Sequence, residues 1–492
     1  MESGTLRRVR IRHRNIKLNG WLKKILALYS ANGINFLLNI LIIPILVYYI
    51  GFQGYGFYSI YIIISSTLLF LDSALSKSTV SEFHSTKEIF HSQLISSARA
   101  AYIVMGILLL LAAPLIAKGT SSAFPLDTNQ LNLTYWIGLT AVIEYVFSLP
   151  GQYFQMLNIL RGRHFTYAQY QLCIQLSRFL TVSAVAALTQ QIECVLAAII
   201  LRKLPDHLIL WLFWHNLKAE KYTPIAWPLL TTLYRNASPI IGVALSQLLV
   251  TEFISIYISH AYGAETLGKY RSIYDILNKI WFIATLYPIL IYPRICEWLA
   301  DADKKEWLRN TIPYLNLGSA LLYGAITLTG LALYPLLSKQ LPILQDAAPF
   351  AAGLLAGICM SGHARLGYEI LQAQKHAGSA LLINLLSFGL GAAILFTFYD
   401  CAMKEIGWAW LASQLLTVII VDIRNCILLS SPLGKSVTAL LPWLGVIIII
   451  TTTSIYDIEG IATSLLLLTV FMNTLIFLAK RMRTPRQKKC PN

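Results

Sequence analysis

The sequence predicts an all-α polytopic membrane protein of about 14 transmembrane helices, and three observations predict it. Of the 492 residues, 56% are hydrophobic and 13% charged, against roughly 25% charged in soluble domains; mean hydropathy is +0.61. The apolar residues come in runs of about 20, the length that crosses a bilayer as helix. Finally, one turn is written twice. Gly51-Phe-Gln-Gly-Tyr-Gly56-Phe-Tyr58 and Gly263-Ala-Glu-Thr-Leu-Gly268-Lys-Tyr270 both read Gly-x4-Gly-x-Tyr, 212 residues apart, and each joins two apolar stretches. A repeat at that distance in a membrane chain predicts two similar halves.

The elements follow in order. A basic segment, 1–24, carries Arg7, Arg8, Arg10, Arg12, Arg14, Lys17, Lys23 and Lys24. Spans are expected at 25–49, 57–78, 98–117, 132–157, 170–189, 192–216, 237–261, 271–293, 313–337, 348–371, 379–398, 408–429, 438–455 and 461–479, and a second basic segment fills 480–492. The first span is long and no small-residue cleavage site follows it, so it is expected to stay in place rather than act as a signal peptide. Alternate loops are basic, which puts both termini in the cytoplasm. The net charge of +16 lies on these flanks and does not predict a nucleic-acid partner; membrane lipids are the expected surroundings. Connections near 79–97, 217–236 and 294–312 mix Trp, Leu and charge and are expected to lie along the membrane surface. The seven cysteines are scattered without a Cys-x-x-Cys pair, so neither metal, disulfide framework nor cofactor is expected.

The repeat continues past the turn. Asn158-Ile-Leu-Arg-Gly-Arg-His164 follows span four, and Glu369-Ile-Leu-Gln-Ala-Gln-Lys-His376 follows span ten. The chain therefore divides into an N-lobe (25–236, spans 1–6) and a C-lobe (237–430, spans 7–12). These are two parallel, pseudo-symmetric six-helix lobes, with two extra C-terminal helices in 431–479. The turn glycines fall on the outer face, where they reverse the chain and place Tyr58 and Tyr270 at headgroup level. Span six is interrupted by Arg202-Lys-Leu-Pro-Asp-His207; it is either a broken helix at a cavity or a span whose boundaries lie elsewhere.

Ionisable residues inside spans cost roughly 2.5–3.5 kcal/mol at the bilayer centre, so they face the bundle interior. Asp72, Lys77, Glu144, Arg178, Glu252, Asp275 and Lys279 are of this kind, as are Arg365, Glu369, Asp422 and Arg424 in the second half. Ion pairing is the structural alternative: Asp275 with Lys279, and Arg365 with Glu369, stand at i,i+4. A polar stripe adds Asn35 and Asn39, which meet Gln247 and Thr251 at the repeat offset; helix–helix adhesion is its alternative.

The Gly-rich turns, Leu71-Asp72-Ser-Ala-Leu75-Ser, Arg161-Gly-Arg-His164 and Ile406-Gly-Trp-Ala-Trp-Leu-Ala give the chain a further likeness. Over spans 1–12 it resembles the bacterial polysaccharide-transport proteins, including the Wzx-like O-antigen flippases. These belong to the multidrug/oligosaccharidyl-lipid/polysaccharide (MOP) exporter superfamily. The resemblance implies a central cavity lined mainly by spans 1, 2, 7 and 8. It also implies flipping of a lipid-linked oligosaccharide across a bacterial inner membrane, beside polysaccharide polymerase and chain-length proteins. On that reading Lys77, Arg178 and Lys279 meet phosphates, and Asn35, Asn39, Gln247 and Thr251 meet sugar hydroxyls. Asp72, Glu144, Glu252 and Asp275 are candidates for coupling protons or Na⁺. A cation-coupled multidrug exporter of the same superfamily would want an acidic, aromatic cavity, whereas basic candidates prevail here. A membrane glycan polymerase or ligase would want a large outer loop with catalytic Arg or His, and the longest expected, 118–131, is short. Asp301-Ala-Asp303 sits in a charged surface loop and reads as a solvated face. Gly434-Lys-Ser436 lacks the upstream glycine of a phosphate-binding loop. No catalytic residue is assigned, and an enzyme is not expected.

Overall fold

A computed structural model describes residues 3–85, 90–124, 128–215, 223–279, 292–300, 302–340, 348–374, 376–397 and 403–429, with Trp443. The described residues form twelve α-helices and no strand. Predicted spans one and two are the two arms of α1 (Ser3–Ser85). Spans three to five are α2 (His91–Ala123), α3 (Thr128–Leu160) and α4 (His164–Thr189). Span six is shared by α5 (Ile192–Leu201) and α6 (Lys203–Trp214). Span seven and the start of span eight form α7 (Trp227–Asn278). The short α8 (Tyr292–Ala300) precedes α9 (Ala302–Gln340), α10 (Ala348–Ala373), α11 (Ala377–Thr397) and α12 (Met403–Leu429). Among the described residues six helices are each long and apolar enough to cross a membrane, or seven when the bent pair Trp227–Ser246 and Thr251–Asn278 of α7 is counted as one span. Predicted spans thirteen and fourteen lie outside the described residues.

The repeated turn explains how the longest helices are divided. The apolar part of α1, Gly33–Phe83, has 51 residues and would run about 76 Å as a straight helix, over twice the roughly 30 Å hydrocarbon core. It breaks at Gly51 (φ 69°, ψ 175°), and α7 breaks at Gly263 (φ 81°, ψ −179°). This region of backbone space is closed to side-chain-bearing residues. The glycine of each turn is thus the hinge, at the same place in both copies. A Cβ at either position would meet no atom within 4 Å, so the cost of substitution is conformational alone. Gly51→Ala and Gly263→Ala are each expected to destabilise by about 1–3 kcal/mol, read as a lowered unfolding temperature in detergent. Gly33→Ala, at an open helical position, should leave it unchanged.

The second glycine of each turn has a different task. A Cβ on Gly56 would stand 2.1 Å from the Ala264 carbonyl oxygen, and one on Gly268 would stand 1.9 Å from that of Phe52. Residues 52 and 56 lie 212 before 264 and 268, so the two contacts are reciprocal and obey a local two-fold. The turns pack on each other main chain to main chain. The repeat after span four is also visible. Gly162 (φ 65°) closes α3 with bonds from its N–H to Ile159 O (3.0 Å) and from Arg163 N–H to Asn158 O (2.8 Å), a Schellman ending. After α10, His376 N–H makes the matching bond to Leu371 O at 2.9 Å.

The chain divides into two compact units, residues 1–282 and 283–492. In the first, the second arm of α1 packs against α3, α4 and α7, around Leu68, Leu75, Tyr102, Met105, Val142 and Leu149. The segment entering α7 is tied down by Ser96 Oγ with Thr223 Oγ1 (2.9 Å) and by Ser78 Oγ to Leu233 O (2.8 Å). In the second unit α10 packs on α8, α9, α11 and α12. Glycines bring α10 and α12 close: a Cβ on Gly353 would meet the Gly407 backbone at 2.5 Å, and one on Gly357 the Trp410 ring at 2.2 Å. Small residues at helix contacts are how membrane helices associate without a hydrophobic driving force.

Candidate functional site

A polar chamber of about 310 Å³ opens inside the first unit, between the second arm of α1, α3, α4 and the α5–α6 junction. Helical spacing builds its walls. On α3, Glu144, Ser148, Gln152 and Gln155 share one face; on α4, Gln171, Gln175 and Arg178 do; α1 adds Tyr61, Ser65 and Ser66. The junction supplies Arg202, Lys203 and Asp206. Pro205 has no N–H to bond back one turn, and the helix is interrupted at Arg202, whose backbone stays near helical (φ −55°, ψ −23°). Of the two readings of span six, the broken helix holds, and the break delivers three charged side chains to the chamber.

Those charges are netted together. Arg202 contacts Glu144 and Asp206, each at 3.1 Å; Lys203 contacts the same two carboxylates at 2.5 and 3.6 Å. Ser65 Oγ donates to Glu144 (3.4 Å) and Ser177 Oγ to Asp206 (3.1 Å). Arg178 donates to the Tyr58 hydroxyl at 3.1 Å. Gln171 donates its amide to Gln155 at 2.6 Å. Arg202 Nε is buried with no hydrogen-bond partner. The chamber thus holds three side-chain cations against two carboxylates, with four glutamine amides around them.

A second buried cluster centres on Arg271. It reaches Glu252 at 2.7 Å and Asp275 at 2.9 Å. Asp275 also accepts from the Tyr55 hydroxyl (2.8 Å), and Glu252 from Ser255 (3.2 Å). The direct contact of Asp275 is thus with Arg271, while Lys279 feels the same carboxylate without touching it. Arg271, one turn before Asp275 rather than one turn after, takes the carboxylate because its fork also serves Glu252 on the preceding arm of α7. Among the described residues Lys279 makes no ion pair, and it stands within electrostatic reach of Asp275, Arg178 and Arg271.

The other candidates are placed as follows. Asp72 accepts from the Tyr102 hydroxyl at 2.5 Å, and Lys77 is buried. Asn39 donates to the Asn35 carbonyl (2.7 Å) and Thr251 to the Leu248 carbonyl (3.1 Å), each within its own helix. Asn35 Oδ1 is buried without a hydrogen-bond partner. The side chain of Gln247 lies outside the described residues. The chamber brings together Glu144 and Arg178 from the sequence candidates, with Arg202 and Lys203 from span six. It does not take in Asp72, Lys77, Asn35 or Asn39. The four glutamines were not singled out from sequence; their i+3 and i+4 spacing on α3 and α4 was the available signal. In the second unit Arg365 pairs with Glu369 at 2.9 Å. There Asp422 holds Asn316 (3.1 Å) and His363 (3.4 Å).

A family model described as polysaccharide biosynthesis protein matches residues 21–298, more than half of the chain and nearly all of the first unit. The chain belongs to that family. The segment that places it there contains both charged clusters of the first unit. The fold of this polysaccharide biosynthesis protein is similar to that of the lipid II flippase MurJ in an inward closed conformation (TM-score 0.61, 12% identity, 93% of this chain and 99% of that one). It is also similar to the eukaryotic MATE transporter AtDTX14 (TM-score 0.55, 12% identity, 87% and 100%). An inward-facing multidrug resistance MATE family transporter of the MOP superfamily gives 0.55 at 11% identity, over 80% and 94%. At such identities the likeness is one of fold. The resemblance to MOP exporters, read from the turns and loops, holds. No curated protein sequence matches the chain.

Proposed function

We propose that this protein is a transporter, rather than an enzyme, that flips a polyprenyl-pyrophosphate-linked oligosaccharide by alternating access. The glycan crosses from the cytoplasmic to the outer leaflet of a bacterial inner membrane, and both termini stay cytoplasmic. The observation that carries this reading is the glutamine-lined, net-positive chamber among helices otherwise built of apolar residues. Intramembrane polar groups persist where they meet one another or a substrate pathway. Glutamine amides donate and accept, as sugar hydroxyls require. Arg178 donates to the Tyr58 hydroxyl and brings to the chamber a guanidinium suited to a phosphate or acidic sugar, and Lys279 adds a second cation within electrostatic reach. An inside-negative potential favours outward movement of an anion by roughly 2.3 kcal/mol per charge per 100 mV. Family membership supplies the polysaccharide context.

The test is surface polysaccharide in a strain lacking its own flippase. The wild-type chain restores it. Arg178→Ala and Lys279→Ala are each expected to lower the flux about tenfold, the loss of a charge-assisted hydrogen bond worth about 1.5 kcal/mol, with membrane levels unchanged. Full restoration by both variants sinks the cationic site. Restored efflux of cationic dyes without polysaccharide favours the drug-exporter reading.

A further inference from the structure

On the opposite face of α3 from the chamber, a groove of about 390 Å³ runs along α2 and α3. We propose that it docks the single chain of a polyprenyl pyrophosphate from the inner leaflet, with Arg99 at the head group. This rests on the lipid-linked substrate proposed above and locates where its chain is held.

The groove has the chemical profile of one lipid. On α2, Arg99, Tyr102, Ile103, Ile107 and Leu110 lie along one stripe. From Arg99 to Leu110 the helix rises about 16 Å, the depth of one leaflet of a roughly 30 Å core. Arg99 is the one charged residue in the described lining. It stands at the end of α2 that the basic flanks place on the cytoplasmic side. Tyr153 and Trp214, with ring centroids 6.1 Å apart, also line it; aromatic rings of this kind favour headgroup level. Val146, Leu149 and Pro150 form the α3 wall. Ile103 and Ile107 are 55% and 54% exposed, so the groove is open to the lipid side. Its cation matches a phosphate head, and a single groove matches the single chain of a polyprenyl lipid. The floor is connected inward. Tyr102 donates to Asp72 on the second arm of α1, the arm that lines the chamber with Tyr61 and Ser65. The chain site and the sugar site thus share α3 as a common wall, and the Tyr102–Asp72 bond ties the groove floor to α1.

The experiment uses the full chain in neutral-lipid nanodiscs with a polyprenyl pyrophosphate carrying a diazirine on its chain. Photolabel is expected on the Ile103–Leu110 stripe and on Leu149. It should fall about fivefold in Arg99→Ala and disappear in Ile107→Trp, which fills an exposed groove without touching the helix core. Unlabelled polyprenyl pyrophosphate should displace the probe, and an equal amount of phosphatidylglycerol should not. Label spread evenly over lipid-facing positions such as Leu180 and Leu188 overturns the proposal, as does displacement by phosphatidylglycerol. Polysaccharide export is scored separately. Export without groove labelling removes this site and keeps the function; groove labelling without export does the reverse.

Discussion

Gly268→Ala is expected to abolish the folded protein. The added Cβ would stand 1.9 Å from the Phe52 carbonyl oxygen, 2.8 Å from its carbonyl carbon and 3.1 Å from the Gly56 nitrogen. All three are main-chain atoms, so no rotamer change relieves the overlap. Overpacking typically costs 1–3 kcal/mol where side chains can yield. With the backbone of another helix as the obstacle, about 4 kcal/mol or more is expected, in the range reserved for severe lesions. Gly56→Ala should behave alike, its Cβ lying 2.1 Å from Ala264 O. Gly119→Ala and Gly318→Ala, with nothing within 4 Å, are the controls. Size-exclusion profiles and thermal unfolding in detergent read the difference. A monodisperse Gly268→Ala protein with the wild-type unfolding temperature would show that the two turns do not touch.

The second large effect is expected at Arg271. Arg271→Met removes the common partner of Glu252 and Asp275 and strands two buried carboxylates. Breaking a buried pair by removing one member costs about 3–5 kcal/mol. Arg271→Lys should recover only part of this, since an ammonium is a point charge and the two carboxylates need a fork. Adding Glu252→Gln and Asp275→Asn to Arg271→Met should restore most of the lost stability, because the penalty is uncompensated charge rather than lost packing. Equal instability of the triple variant and Arg271→Met would place the role of Arg271 in packing.

These two sites show what the sequence discloses and what it hides. The repeat of the turn was readable because its glycines recur at a fixed offset. That Gly51 and Gly263 bend the chain followed from glycine's backbone freedom. That Gly56 and Gly268 touch across the two copies did not, because contact between segments 212 residues apart leaves no local pattern. Asp275 has a cation four residues to either side, Arg271 and Lys279, and helical spacing serves both equally. The choice is made by Glu252, on the other arm of α7. Span six was legible as an anomaly, while its main partner Glu144 lies 58 residues before Arg202. The chamber glutamines carry no charge and resemble polar residues on any helix face until α3 and α4 bring them together. At the Asn35–Asn39 stripe a local effect is visible: on a helix, short polar side chains can bond back to the preceding turn, as Asn39 and Thr251 do.

The interval between the two glycines of each turn is a length standard. Gly51 to Gly56 and Gly263 to Gly268 are both five residues. One inserted residue would swing the second glycine 100° around its helix and present a side chain to the other copy's carbonyl. Since the obstacle is main chain, no substitution elsewhere could accommodate it. The two copies can therefore diverge in every side chain between these glycines, as they have, but not in number.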